Sequence, residues 1–159
     1  MMDRYIEAPA EYTLTGASVF IAGGISNCPD WQAPLCKRIG EQTGLTMLNP
    51  RRADFDISRS EESRIQIEWE HQALRDATGI LFWFPRQTLC PITLLELGAA
   101  LQWDKPLWIG CDPDYARIFD VEMQTRLQLG PDHPIHLSLE DLTAAVIADA
   151  PRLQAQHAA

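Results

Sequence analysis

Short apolar runs alternate with longer amphipathic stretches along most of the chain. The runs are rich in aliphatic, β-branched and aromatic residues, which is typical of buried strands, and the stretches between them favour helices. Five strands are predicted, at "ASVFIAGG", "LTMLNP", "TGILFWF", "KPLWIGC" and "HPIHLS". The first dozen residues have no such pattern and are expected to be loose or to form an edge element.

Turn and capping residues mark the ends of the predicted helices. Gly44 is expected to stop the first helix, and Pro91 to open the helix that follows the strand "TGILFWF". A capping box from Ser138 to Asp141 opens the last helix, which Pro151 is expected to disturb. Strands that alternate with helices predict βαβ units, and therefore an α/β fold with a mostly parallel five-stranded sheet covered by helices on both faces.

Length and charge narrow the class of protein. The chain has 159 residues, which suits one domain over 1–159 with a core from about 17 to 150, and its net charge is -9. That charge argues against a nucleic-acid polymer as partner, although one or two arginines could still hold a small anion. No apolar run reaches the length of a membrane helix, and the N-terminus does not resemble a signal peptide. Four cysteines without a C-x-x-C pair are expected to be reduced thiols in a cytoplasmic protein.

Three segments follow successive strands, and in a parallel sheet they meet in the crevice beyond the carboxyl ends of the strands. They are the glycine turn Gly23-Gly24-Ile25-Ser26, the segment from Asn49 to Arg52, and the segment from Pro85 to Glu96. The polar loop at 51–60 is longer than the usual connection and is therefore suspected of a function.

Glu96 is the leading chemical candidate, since it lies one to two turns into an apolar helix beside a central strand. A poorly solvated carboxylate there could act as a nucleophile or a general base, and the helix start is expected to help keep it ionised. The alternative is a solvated position on the outer face of that helix. Asp76 precedes the strongest strand, where the alternative role is a turn or cap residue.

Other polar and aromatic residues have two readings each. Arg51 and Arg52 could hold a phosphate or carboxylate, or could be solvated. Trp31 could stack on a planar base, or cover the edge of the sheet. The four histidines form no helical H-x-x-x-H pair, so no metal site is expected.

Four fragments in this order are similar to the nucleoside 2-deoxyribosyltransferase superfamily, and most similar to its short bacterial and phage branch. They are "VFIAGGISNCPDWQ", "LNPRR", "IQIEWEHQALRDATGILFWFP" and "PITLLELGAAL", and the likeness covers about residues 17 to 130. The resemblance implies a flavodoxin-like (Rossmann-like) three-layer sandwich that acts on nucleosides or nucleotides and free nucleobases. It also implies a homo-oligomer, a dimer or larger, and no cofactor.

The resemblance also implies roles for individual residues. Glu96 would attack the anomeric carbon of a 2'-deoxynucleoside, and Asp76 would face the departing base and help manage its proton. Gly23 and Gly24 would let the substrate approach the backbone. Three further residues would lie near the base: Ile25, Asp30 and Trp31.

One departure from the family pattern bears on the activity. Many transferases of the superfamily have an aspartate six residues before the nucleophile that holds the sugar hydroxyls, and this chain has Cys90 there. Nucleotide-hydrolysing relatives tend to use a small hydroxyl residue at that position. Three functions therefore stay open: base exchange between deoxynucleosides, hydrolysis of an N-glycosidic bond, and non-catalytic sensing of a nucleotide.

Overall fold

The computed structural model describes residues 4–53 and 60–159. In these ranges, six strands and five helices alternate along most of the chain. The strands are β1 (Tyr5–Glu7), β2 (Ser18–Gly23), β3 (Thr46–Asn49), β4 (Gly79–Phe84), β5 (Leu107–Cys111) and β6 (Ile135–His136). The helices are α1 (Gln32–Thr43), α2 (Ser60–Asp76), α3 (Pro91–Ala100), α4 (Ile118–Leu129) and α5 (Leu139–Ala158).

The strands form one parallel sheet in the order β1-β3-β2-β4-β5-β6, which confirms the predicted α/β class and its flavodoxin-like architecture. All five predicted strands are present, but the predicted strand count was one too low. The additional strand, β1, pairs with β3 at the edge of the sheet, with Tyr5 opposite Met47. Three residues are too short a stretch to show a strand period, so the pairing partner rather than the local pattern makes this segment a strand.

Alternate residues of the central strands face two separate apolar cores, as the period of two requires. In β4, Ile80, Phe82 and Phe84 pack with α2, α3 and α4, whereas Leu81 and Trp83 pack with α1 and α5. The helices therefore cover both faces of the sheet, and α2 and α3 lie on the same face.

The helix ends follow the predicted chemistry in all but one case. Gly44 ends α1 with a left-handed φ of 76°, and the side chain of Ser138 accepts a hydrogen bond from the backbone N–H of Asp141 at the start of α5. Pro151 was expected to disturb α5, but this helix continues through it to Ala158. The buried residues Ala150 and Leu153 hold that part of α5 against the core. Among the described helices, none combines the length and the apolar character that a membrane crossing requires.

The order of the strands fixes where a ligand crevice can lie. From β2 the chain crosses to β3 on one side and then returns to β4 on the other side, so the connections diverge at the carboxyl ends of β2 and β4. The glycine turn follows β2, and α3 begins a few residues after β4. Helix α2 connects β3 to β4 and packs on the same core as α3.

Candidate active site

The glycine turn after β2 is held by its own carbonyl group. Gly24 O accepts hydrogen bonds from Trp31 Nε1 and Gln32 Nε2, both at 2.9 Å, and from Cys28 Sγ at 3.1 Å. Trp31 is only 6% exposed, and a Cβ at Gly23 would lie 2.3 Å from its ring. Trp31 therefore covers the end of the sheet, and its ring is engaged in packing.

The loop after β4 closes over the same turn. A Cβ at Gly24 would lie 2.6 Å from Pro85 Cγ and 3.0 Å from Cys90 Sγ, so glycine is what permits this approach. Cys90 caps α3 in a left-handed conformation with a φ of 50°, and it is 5% exposed. Burial raises the pKa of its thiol to about 12, so Cys90 contributes a neutral S–H group.

The segment after β3 is fastened to the start of α1. Arg51 donates to the carbonyl oxygens of Cys28 and Pro29 at 3.0 and 2.8 Å, and to Gln32 Oε1 at 3.0 Å. The backbone N–H of Arg51 donates to Asn49 Oδ1 at 3.0 Å. These two residues hold the loops of the crevice together.

The remaining predicted binding residues are placed around this core of contacts. Arg52, whose side chain is 9% exposed, forms an ion pair of 2.9 Å with Glu62 at the start of α2. Ile25 is half-buried, and Asp30 is exposed and accepts a hydrogen bond from the backbone N–H of Ala33. Residues 54–59 of the suspected functional loop lie outside the described residues.

Glu96 lies in the second turn of α3 and is half-buried, while its neighbours Thr93, Leu97 and Ala100 are buried against the core. Burial, and secondarily the negative charge of Glu70, raise the pKa of Glu96 to about 8. The start of α3 is therefore not sufficient to keep this carboxylate ionised at neutral pH. Desolvation and a like charge outweigh the helix dipole, whose effect falls off within the first turn.

Glu70 is a functional candidate that the sequence analysis missed. It is half-buried on α2 and faces Glu96 closely enough for its charge to act on that residue. Gln66 Nε2 donates to Glu70 Oε1 at 2.6 Å. Burial raises the pKa of Glu70, and the hydrogen bond from Gln66 opposes this rise.

A sequence signal for Glu70 did exist. The buried residues of α2 are Gln66, Ala73 and Leu74, and Glu70 falls on the same stripe at a spacing of four, three and four residues. Polar residues on the stripe of a helix that faces the core are costly unless they have partners or a role. Gln66 and Glu70, two polar residues one turn apart on this stripe, therefore indicate a candidate functional position.

The structure does not bring Asp76 together with Glu96. Asp76 is the last residue of α2, just before the amino end of β4, where it is exposed. Its carboxylate accepts hydrogen bonds from the Tyr12 hydroxyl and from Gln72 Nε2, both at 2.8 Å. Lys105, which precedes β5, donates to three carbonyl groups at this end of α2, so Asp76 lies at the edge of the sheet opposite the crevice.

Helices α2 and α3 therefore contribute two poorly solvated carboxyl groups, and the charge of Glu70 acts on Glu96. Carboxyl groups in such different environments can take different roles, one as an acid and the other as a nucleophile or base. Within residues 4–53 and 60–159, no group of three or more His, Cys, Asp or Glu side chains could hold a metal ion.

Comparison with known proteins assigns the chain to a family. The sequence model of the family described as "Nucleoside 2-deoxyribosyltransferase like" matches residues 16–115, more than half of the chain. The match spans the glycine turn, Glu70 and Glu96. No curated protein sequence matches the chain significantly. The chain therefore belongs to the nucleoside 2-deoxyribosyltransferase-like family.

Proposed function

We propose that this protein cleaves the N-glycosidic bond of a 2'-deoxynucleoside through a covalent intermediate on Glu96 and transfers the deoxyribosyl group to a second nucleobase. The observation that carries the proposal is the pair of poorly solvated carboxyl groups, Glu70 and Glu96, between α2 and α3. Membership of the family supports the nucleoside as the class of substrate.

In the first half-reaction, the Glu96 carboxylate attacks C1' of the sugar. The C1'–N bond breaks and its electron pair stays with the base, while protonated Glu70 gives its proton to a ring nitrogen of the departing base. The products are a neutral free base, a deoxyribosyl ester on Glu96 and an ionised Glu70. Positive charge builds on the sugar in the transition state, and a carboxylate with little hydration is well suited to stabilise it.

In the second half-reaction, a ring nitrogen of the incoming base attacks C1'. Glu96 leaves as a carboxylate, and Glu70 takes the N–H proton of the incoming base. The enzyme thereby returns to its starting protonation state, so exchange needs no further reagent.

The active protonation state has Glu96 ionised and one proton on Glu70. Burial and the charge of Glu70 favour a proton on Glu96, but both arrangements contain the same number of protons and share one pH dependence. Turnover should therefore fall on the alkaline side with an apparent pKa near 8, when the pair loses its last proton.

Glu70 takes the acid role that the resemblance assigned to Asp76, because Glu70 is the residue whose charge acts on Glu96. The glycine turn with Ile25, and Cys90 at the start of α3, would line the nucleoside. In this proposal the loops that line the nucleoside are supported by Asp30, Trp31, Asn49 and Arg51. Arg52 forms its ion pair with Glu62 at the start of α2.

Intact mass spectrometry tests this chemistry directly. Exposure to a 2'-deoxynucleoside should add one deoxyribosyl group to the wild-type chain, and the adduct should map to Glu96. The Glu96→Ala variant should bind the nucleoside but show neither adduct nor base release. Unchanged base release by Glu96→Ala would contradict the assignment of the nucleophile.

Hydrolysis is the second candidate, and Cys90 is the observation that favours it. A buried neutral thiol cannot accept hydrogen bonds from sugar hydroxyls as a carboxylate does, so water rather than a base could complete the reaction. Incubation of a deoxynucleoside with and without a second free base separates the two. An exchanged nucleoside supports transfer, and free base without exchange supports hydrolysis. Binding without any release would leave only a sensor.

We further propose that the protein is a homo-oligomer that associates through an apolar face on α3 and α4, in the reducing environment of the cytoplasm. This α3–α4 face consists of Ile92, Leu95, Phe119, Met123 and Leu127, which are 42–75% exposed. Beside it lies a groove of about 280 Å³ between the two helices. Large exposed apolar patches mark interaction sites, and all four cysteines are free thiols, which fits a reducing compartment.

Sedimentation velocity tests the association. Leu127→Glu places a charge in the α3–α4 face and should convert the oligomer to a monomer. Leu137→Glu is the matched control, because Leu137 is an exposed leucine outside this face. A wild-type monomer, or equal sedimentation of all three proteins, would contradict the proposal.

A further inference from the structure

Gln66 is the buried neighbour of the acid pair, and its amide group has a fixed orientation. The residue is 8% exposed, and its Nε2 donates to Pro50 O at 2.7 Å and to Glu70 Oε1 at 2.6 Å. Rotation of the amide by half a turn would set its oxygen against Pro50 O, a carbonyl oxygen that can only accept. The nitrogen therefore faces Pro50 and Glu70, and the oxygen faces the other way.

The Gln66 oxygen has no hydrogen-bond partner. Oε1 is buried from solvent, and within the described part of the chain no donor reaches it. A buried carbonyl group without a donor is rare in native proteins and calls for an explanation. Because Oε1 and Nε2 share one amide carbon, this unpaired oxygen lies one amide group away from the Glu70 carboxyl group, the proton donor to the base in the proposed mechanism.

We propose that Gln66 Oε1 reads the nucleobase by accepting a hydrogen bond from an exocyclic amino group, so that the site selects amino bases over keto bases. The inference rests on the proposed function and names the substrate class of that site. Glu70 supplies a donor and Gln66 an acceptor side by side, and the complementary base edge carries an acceptor next to a donor. Adenine has such an edge in N7 and its 6-amino group, and cytosine has one in N3 and its 4-amino group.

Keto bases fit this pair of groups poorly. Hypoxanthine has the same shape as adenine and keeps N7, but it presents O6 where the amino group stood. Uracil reverses both groups of the cytosine edge, because it has N3–H and O4 in place of N3 and the 4-amino group. An oxygen against Gln66 Oε1 leaves two acceptors facing each other without a proton between them. Sites that hydrogen-bond a substrate donor reject analogues that lack the donor much more strongly than apolar pockets reject a missing methylene.

The decisive measurement is a specificity ratio. We expect kcat/KM for 2'-deoxyadenosine to exceed that for 2'-deoxyinosine by at least about tenfold, with the same order for 2'-deoxycytidine over 2'-deoxyuridine. Gln66→Met keeps the length of the side chain and removes its acceptor, so it should bring the ratio of 2'-deoxyadenosine to 2'-deoxyinosine close to one. A purely structural role of Gln66 would lower all rates together and leave the ratios unchanged.

Helix α2 contains a matched control for this variant. Gln72 donates to Asp76 at 2.8 Å with the same spacing of four residues, but on the exposed end of the helix. Gln72→Met should therefore keep the wild-type ratios. A wild-type ratio near one, a ratio that survives in Gln66→Met, or discrimination between ribose and deoxyribose in place of the bases would each overturn the proposal.

Calorimetric binding to the Glu96→Gln variant separates this inference from the proposed function and does not require Gln66→Met to fold. Binding of 2'-deoxyadenosine at least about tenfold tighter than 2'-deoxyinosine would support base reading even if no nucleoside were turned over. Turnover with equal binding of the two would leave the proposed function intact and overturn the inference. Absence of binding by both nucleosides would overturn it as well.

Discussion

Helix α2 contains two glutamine–acid pairs that share one spacing and differ in almost everything else. Gln66 donates to Glu70 at 2.6 Å and Gln72 donates to Asp76 at 2.8 Å, each across one turn. The first pair is largely buried and faces α3, whereas the second pair is exposed at the far end of the helix. The side and the end of the helix that such a pair occupies therefore determine its burial and its neighbours.

The surroundings of the two acids explain the difference in chemistry. Glu70 lies where burial raises its pKa and where its own charge raises the pKa of Glu96. Asp76 meets the Tyr12 hydroxyl instead, and burial together with this carboxylate raises the pKa of Tyr12. We therefore assign the proposed proton transfer to Glu70, whereas Asp76 has the contacts of a residue that secures the helix end.

The largest expected effect distinguishes the two acids by turnover. Glu70→Gln should lower kcat/KM for a 2'-deoxynucleoside by about 10²- to 10⁴-fold, because general acid catalysis is lost. Asp76→Asn should change it by less than about threefold, because Asp76 lies away from the acid pair. The rate of base release, followed by chromatography, measures both.

A substrate that needs no acid sharpens this test. The base of 2'-deoxy-7-methyladenosine, which keeps the 6-amino group, leaves as a neutral molecule without gaining a proton, so Glu70→Gln should cleave it at close to the wild-type rate. If Asp76→Asn proved the slower variant, or if the methylated substrate failed to rescue Glu70→Gln, the acid role would not belong to Glu70.

The second prediction concerns stability and pH. Glu96 has a pKa of about 8 in the folded chain against an ordinary value of 4.5, so the folded state binds more protons between these values. The free energy of unfolding should therefore be highest below about pH 4.5 as far as Glu96 contributes, and this contribution should fall as the pH rises to about 8. Since the side chain is only half-buried, we expect a loss of about 1–3 kcal/mol over that window.

Urea denaturation from pH 5 to pH 8.5 measures this slope, and variants assign it. Glu96→Gln should flatten the profile and be more stable than the wild type at pH 8. Glu70→Gln should reduce the slope, since it removes the charge that adds to the pKa of Glu96. Asp76→Asn should leave the slope unchanged, and parallel profiles for wild type and Glu96→Gln would contradict the assignment.

The fold was largely predictable from the sequence because its central strands are continuous, apolar runs. A stretch such as "TGILFWF" has few alternatives to a buried parallel strand, and the helices between the strands then follow from connection rules. The segment that forms β1 was expected only to be loose or to form an edge element, and its three residues gain their strand conformation from pairing with β3. The local sequence pattern of β1 contains no information about a pairing partner that is distant in the sequence.

The site was predictable only in part, for a geometric reason. Glu96 stood out as one carboxylate in an apolar helix, whereas α2 contains five acids that look alike in the sequence. Which of them meets Glu96 depends on how α2 is rotated toward α3, and this is settled by the packing of Ala73 and Leu74. The resemblance assigned the acid role to Asp76 at the end of the helix. In the structure it is the charge of Glu70, about one and a half turns earlier, that acts on Glu96.

The smallest expected effect tests whether Asp76 has a structural role. Tyr12→Phe removes the hydroxyl that donates to Asp76 at 2.8 Å and should lower the free energy of unfolding by about 0.5–1.5 kcal/mol, the usual contribution of one hydrogen bond. Asp76→Asn should show a similar loss, and the double variant should lose less than the sum, because the two side chains share one interaction. Turnover should stay at the wild-type level in all three proteins. Additive losses in this cycle, or a fall in turnover with Tyr12→Phe, would mean that the exposed pair also takes part in the chemistry and would remove the contrast between the two ends of α2.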